Sequence, residues 1–205
     1  MRLYTSLRAP NPRRVRWVMA EKGIETIELV EIDLLKGEHK TAEYRERVVR
    51  SVTPALELED GAVITESVAI ARYLEALHPE PNLFGRDAKE IAVIEMWTRY
   101  AEMLVGNPLS LAARYGHPAL AALDGLDPAA SEQHRQTADR ALKRLDRELA
   151  SREFIAADRI TIADIVAVSR MDFARMIRWR PPEDLHHVGR WYEAMRARPA
   201  AAAGM

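Results

Sequence analysis

Between Thr53 and Leu74 the apolar period of the chain changes from two to about 3.6, and this change dictates the local architecture. Glu57-Leu58-Glu59 alternate acidic and apolar, Asp60-Gly61 follows, and apolar residues resume at Ala62-Val63-Ile64. Asp-Gly tolerates the positive φ angles of a two-residue type I′ turn, so the pattern predicts a β-hairpin. Ile70, Leu74 and Leu77 then recur at helical spacing, with Val68 and Ala71 beside them. A helix therefore begins at Glu66-Ser67, where a carboxylate adjoins a hydroxyl. Such a junction has two uses. Thr65 or Ser67 can cap the helix while Glu66 complements its dipole. Alternatively, the helix-end amides and Ser67 can receive the carboxylate of a free amino-acid head group, and Glu66 its ammonium.

The run Val52-Thr53-Pro54-Ala55-Leu56, followed by Ile64-Thr65-Glu66-Ser67-Val68-Ala69-Ile70-Ala71-Arg72-Tyr73-Leu74, resembles the N-terminal domain of the cytosolic glutathione S-transferase superfamily, in a bacterial member of undefined class. The resemblance implies that Pro54 follows a cis peptide bond and that the Thr53 backbone pairs with the cysteinyl part of glutathione. It also implies that Glu66 and Ser67 hold the γ-glutamyl head.

The start of the chain reads as β-α-β. Arg2 to Leu7 alternates as a strand, and Pro10 and Pro12 force a loop. A helix follows with Asn11 as its cap, Val15, Val18 and Met19 as its apolar stripe, and Gly23 as its stop. Thr26 to Ile32 alternates again. In the transferase family this first loop presents the group that ionises the glutathione thiol, and Arg14-Val15-Arg16 resembles the family's usual Arg-Val-Arg. That register puts Ala9 where serine-type members carry a catalytic hydroxyl. The bacterial nu class carries Thr-Pro-Asn here, and Ala9-Pro10-Asn11 keeps its asparagine. Asn11 is thus the candidate donor to the thiolate, with simple helix capping as the other use of the residue, and Ser6 is the backup. Gly37-Glu38-His39-Lys40 resembles a family segment whose basic residues reach the glycine carboxylate of glutathione, which makes His39 and Lys40 ligand candidates; a solvated loop is the alternative. The Asn-Pro that the family often places before the cis-proline segment is missing from Tyr44 to Ser51.

His78-Pro79-Glu80-Pro81-Asn82-Leu83-Phe84-Gly85 is the clearest boundary in the chain. Beyond it every pattern is helical. Val93, Trp97, Tyr100 and Leu104 form one stripe until Asn107-Pro108, Ala138, Leu142, Leu145 and Leu149 form a second, and Leu185 to Pro199 holds the last helix. Thr161 with Asp164 three residues on, and Ile160 against Ile165, make a capping box with a hydrophobic staple, so the expected work of Asp164 is folding rather than chemistry. Ala200 to Met205 reads as a frayed end. The expected fold class is α/β plus all-α: a thioredoxin-like domain over 1–78, a linker over 79–87 and an all-helical domain over 88–205.

Composition excludes several chemistries. The chain has no cysteine, so disulfides and a protein thiol nucleophile are ruled out. The six histidines, at 39, 78, 117, 134, 186 and 187, lack the one-turn spacing of a helical zinc site, and no metal is expected. A formal net charge of -1 leaves no footprint for nucleic acid or an anionic membrane. No apolar run approaches the ~18 residues of a membrane span, and the opening residues do not read as a signal peptide, so a cytoplasmic protein is expected.

The resemblance implies glutathione as co-substrate, a small hydrophobic electrophile as second substrate, and a homodimer. Tyr100, Met103, Asn107, Leu111 and Arg114 share a helical spacing suited to an electrophile wall, and Trp179 is placed to close it from another helix. Two other readings stay open. One is glutathione-dependent reduction of disulfides or peroxides; the other is a non-catalytic binding or assembly module.

Overall fold

The computed structural model describes residues 1–203, and Gly204 and Met205 lie outside the described residues. The chain divides into two compact units. One is Met1–Asn82 joined by the segment from Pro199, and the other is Leu83–Arg198.

The first unit contains strands β1 (Arg2–Thr5), β2 (Glu28–Glu31), β3 (Ala55–Glu57) and β4 (Val63–Thr65) with helices α1 (Pro10–Glu21), α2 (Ala42–Arg47) and α3 (Ser67–Leu77). The sheet order is β2-β1-β3-β4; β1 and β2 are parallel and the other pairs antiparallel. This is the thioredoxin-like β-α-β-α-β-β-α arrangement. Alternation along the strands sorts the core into two layers. Leu3 and Leu56 pack with Val15 and Met19 of α1 and Ile70 and Leu74 of α3. Tyr4 and Ala55 point to the other face and pack with Ile32, Tyr44 and Val48.

The hairpin is one residue longer than Asp-Gly predicts. Leu58 N–H donates to Ala62 O at 2.8 Å and Gly61 N–H to Leu58 O at 3.1 Å, which encloses Glu59-Asp60-Gly61. Only Gly61 has a positive φ, at 84°. A three-residue loop of this kind ends in one left-handed residue, whereas type I′ needs two.

The second unit contains α4 (Ala88–Tyr100), α5 (Asn107–Gly116), α6 (Ala121–Asp124), α7 (Pro128–Leu149), α8 (Ile162–Ala174) and α9 (His186–Arg196). A π-helical stretch, Ala101–Gly106, joins α4 to α5 without a break. Pro108 has no N–H to offer the preceding turn, and a wider turn is one way a helix absorbs such a loss. The wider turn also shifts the phase of the apolar stripe. Trp97 and Val105 are buried, but Leu104, which a constant 3.6 period places on the inner face, is 45% exposed. Gly106 lets α8 approach here, since a Cβ would stand 2.9 Å from Arg170 Cγ.

Helix α8 is buried over most of its surface. The predicted capping box is present: Asp164 Oδ2 accepts from the Thr161 N–H and from the Thr161 hydroxyl, both at 2.9 Å. Ile160 and Ile165 are buried as the staple requires.

The expected fraying of the chain end is corrected for its described part. Helix α10 (Pro199–Ala203) returns to the first unit and packs on α1, with Ala201 fully buried and its carbonyl accepting from Arg13 Nη2 at 3.5 Å. Among the described residues no helix is long and apolar enough to cross a membrane.

Candidate functional site

Sheet topology gathers the predicted ligand residues of the first unit at one end. Parallel β1 and β2 both leave the sheet there, at the paired residues Thr5 and Glu31. β3 enters at the same end with Ala55 opposite Tyr4, and β4 leaves with Thr65 opposite Ala55. Pro54 and Glu66, each one residue beyond that last pair, therefore sit side by side. The chain after β1 delivers the N-terminus of α1 to this end, the chain after β2 delivers the 3-10 turn Glu38–Lys40, and α3 starts here directly.

Thr53–Pro54 is a cis peptide bond, and Thr53 Oγ1 is buried with no partner among the described residues. Glu66 adopts φ 68° and ψ 117°. For a residue with a Cβ this conformation costs roughly 1–3 kcal/mol and persists only where its surroundings hold it. Its carbonyl accepts the first helical bond, from Ile70 N–H at 2.9 Å. The amides of Ser67, Val68 and Ala69 are thereby left without intrahelical acceptors. Glu66 Oε1 accepts from Arg50 Nη1 at 2.9 Å with both side chains largely in solvent, so this pair is weak and exchangeable. Ser67 is buried, and its Oγ accepts from Arg14 Nη1 at 3.2 Å.

At the start of α1 the capping position belongs to Ala9, which offers no side-chain bond, with Asn11 inside the first turn. Capping by Asn11 is thus corrected: two prolines, fixed at helical φ, start the helix two residues earlier, at Pro10. Pro10 and Pro12 carry no N–H, and the Arg13 N–H goes to Ala9 O at 3.3 Å. The first turn therefore has one uncommitted backbone donor, on Asn11, and the Asn11 Oδ1 is buried without a partner among the described residues. Arg16 braces the loop leading here, donating to Thr5 Oγ1 at 2.5 Å, Ser6 O at 3.1 Å and Leu7 O at 3.4 Å. Burial, with the nearby Arg13 charge, lowers the Arg16 pKa to about 10, which keeps it cationic at neutral pH. Ser6, the backup, is buried where the chain leaves β1.

His39 and Lys40 lie in the 3-10 turn. Burial first, then the charges of Lys40 and Arg45, hold His39 below the ordinary imidazole range, so at neutral pH it is a neutral ring, with Nδ1 buried and without a partner among the described residues. Lys40 is exposed. Among the described residues no group of three or more His, Asp or Glu is placed to hold a metal ion.

In the second unit the proposed wall residues diverge. Met103 is 59% exposed, Asn107 is exposed at the first position of α5 and Leu111 is half-buried. Tyr100 donates its hydroxyl to Ala141 O at 2.8 Å, and Arg114 pairs with Asp124. Trp179 is corrected outright. It follows a 3-10 turn rather than lying on a helix, is 1% exposed, and donates its indole N–H to Asp139 Oδ1 at 3.1 Å. It is a core residue.

Arg14, Arg16 and Arg50 are the site-adjacent residues that motif reasoning passed over. The trace of the first two in the sequence is three arginines in four positions, 13, 14 and 16, in the first turns of a helix with no acidic residue in its first turn; Arg50 leaves no comparable trace.

Comparison with known proteins gives a consistent result. A family model described as "Glutathione S-transferase, N-terminal domain" matches residues 9–77, and one described as "Glutathione S-transferase, C-terminal domain" matches residues 127–199. Glutathione S-transferase 2 of Saccharomyces cerevisiae is 32% identical over 209 residues, covering 98% of this chain and 87% of the relative. The crystal structure of Gtt2 from Saccharomyces cerevisiae superposes with a TM-score of 0.91 at 31% identity, covering 100% of both chains. A glutathione S-transferase domain-containing protein from Marinobacter aquaeolei superposes with a TM-score of 0.88 at 34% identity, covering 98% of this chain and 100% of the other.

Proposed function

The chain belongs to the glutathione S-transferase family, and on that premise we propose that it binds glutathione at the end of the sheet where β3 and α3 begin, and transfers the thiolate to a small hydrophobic electrophile. The observation that carries this reading is the strained backbone of Glu66, which starts α3 with three open amides beside a buried hydroxyl and an exposed carboxylate. Those groups match the γ-glutamyl head: amides and Ser67 for its carboxylate, Glu66 for its ammonium. In this reading Thr53 and cis-Pro54 align the cysteinyl part, while His39 and Lys40 serve the far carboxylate.

Asn11 takes the thiol. A free cysteinyl thiol has a pKa of ~8.5, and only the thiolate attacks. The uncommitted backbone N–H and side-chain amide of Asn11, at the positive end of α1, support the charge on sulfur that no hydroxyl at Ala9 can. Met103, Asn107 and Leu111 are the wall positions kept for the electrophile, and a cytoplasmic homodimer is the assembly the family suggests. Ala9 also favours a second reading, in which glutathione is bound but its thiol is not activated.

One titration separates them. Calorimetry measures glutathione binding, and the ultraviolet absorbance of the bound thiolate is followed as pH falls. Binding with a depressed thiol pKa is expected; binding without it leaves the module, and no binding at millimolar glutathione ends both readings. Asn11→Ala should move the bound thiol pKa back toward ~8.5. Unchanged absorbance in that variant removes Asn11 from the chemistry. Glu66→Ala is expected to weaken glutathione by ~1.5 to 3 kcal/mol, the worth of a charged hydrogen bond, in the same calorimetry.

A further inference from the structure

Arg14 lies on α1, is 1% exposed, and points Nη1 at the Ser67 hydroxyl across to the first residue of α3. We propose that Arg14 is a positioning residue that fixes the Ser67 hydroxyl as a hydrogen-bond donor, so that the start of α3 selects a carboxylate; the inference rests on the glutathione reading above.

The argument is one of donors and acceptors. A guanidinium only donates, whereas a serine hydroxyl has one hydrogen and two lone pairs. With Arg14 Nη1 at 3.2 Å occupying a lone pair, the hydroxyl hydrogen must point elsewhere. No acceptor for it exists among the described residues. The neighbouring groups at the helix start are the N–H donors of Ser67, Val68 and Ala69. Every polar hydrogen at this point therefore seeks an acceptor, and an ammonium or an amide N–H has none to give. A permanent cation behind the hydroxyl also strengthens it as a donor and adds to the positive potential of the helix end.

Glu66, one residue earlier, has the opposite character, since an ionised carboxylate only accepts. The two charged groups of an amino-acid head are thus sorted by adjacent residues, and Arg14 determines the sense of the sorting at one of them. If Arg14 merely tied α1 to α3, its loss would weaken every ligand equally. The proposal instead requires a change in selectivity.

The test compares glutathione with its analogue lacking the γ-glutamyl α-carboxylate, 4-aminobutanoyl-cysteinyl-glycine, by calorimetry. Wild-type protein is expected to prefer glutathione about tenfold or more. Arg14→Met should lower that preference by about tenfold, as should Ser67→Ala, with affinity for the analogue unchanged. Arg14→Lys, which keeps the charge but not the fixed fork, should fall between. A folded Arg14→Met protein that retains the wild-type preference overturns the proposal. Should that variant not fold, Arg14→Lys decides: a preference reduced about threefold or more supports the proposal, and one equal to wild type overturns it. Wild-type protein that binds neither ligand overturns the glutathione reading and this inference with it, an outcome distinct from binding with unaltered selectivity.

Discussion

Asp164→Ala is expected to destabilise the helical unit by about 4 kcal/mol or more. Asp164 is fully buried, and its two oxygens accept four hydrogen bonds. Oδ1 takes the Ile155 N–H at 2.9 Å and the Trp191 indole N–H at 3.0 Å. Oδ2 takes the Thr161 N–H and hydroxyl, each at 2.9 Å. One carboxylate thus caps α8, pins the segment before it and anchors α9. Alanine strands three buried N–H groups, at about 1–3 kcal/mol each, while the Thr161 hydroxyl alone is free to rotate. Asp164→Asn sharpens the test. At an ordinary exposed cap Asn serves as well as Asp. Here a carboxamide can keep its oxygen on the Ile155 and Trp191 donors, and the Thr161 hydroxyl can turn to accept. Its NH₂ then faces the fixed Thr161 N–H, so Asn should cost clearly more than at an exposed cap and less than Ala. Denaturant unfolding in which the Asn variant matches wild type would show that the four-donor geometry is not what holds this unit.

That capping box was legible in the sequence because its members are three residues apart and their spacing has one physical meaning. The hairpin was legible for the same reason, though not its loop length, since Asp-Gly fits both a two-residue and a three-residue turn and only the backbone decides which. The π-helical stretch before Pro108 escaped because a stripe drawn at 3.6 assumes the period it is meant to detect. The end of the chain escaped too. Ala200-Ala201-Ala202-Ala203 carries no stripe, and its docking on α1 depends on a surface almost the whole length of the chain away.

The site divides along the same line. Thr53-Pro54 and Glu66-Ser67 could be placed together because one short hairpin joins them, and β3 and β4 set them on adjacent ends of a ladder. Arg14 and Ser67 are 53 positions apart, and an arginine read in isolation defaults to solvent. Trp179 illustrates the converse error. Its indole partner, Asp139, is 40 positions away, so an aromatic residue that belongs to the core looked available for a ligand.

Lys22→Met is expected to cost about 3–5 kcal/mol, the range for removing one partner of a buried ion pair. Lys22 directly follows α1, and its side chain is fully buried at 0% exposure with Nζ 2.6 Å from Glu75 Oε2. Nζ also donates to His78 O at 2.7 Å and Pro81 O at 2.8 Å, using all three ammonium hydrogens. Glu75 Oε1 in turn accepts from Asn82 Nδ2 at 2.8 Å. This cluster joins the end of α1, the last turns of α3 and the segment by which the chain leaves the first unit. Methionine fills the space of the lysine stem but takes away the cation that faces Glu75 and the donor to the His78 and Pro81 carbonyls. Glu75→Gln should cost less, because Lys22 keeps both carbonyls and the amide oxygen accepts in place of the carboxylate. Replacing both residues by methionine often restores stability to a simple buried pair. Here it should not, since the His78 and Pro81 carbonyls still lose the donor that Lys22 supplies. The expected order of thermal midpoints is therefore wild type, Glu75→Gln, then Lys22→Met and the double variant together, the last two lower by roughly 10 °C. A double variant that unfolds at the wild-type temperature would mean that the cost of Lys22→Met is only that of the carboxylate left unneutralised, and that the anchoring of the two carbonyls contributes nothing net.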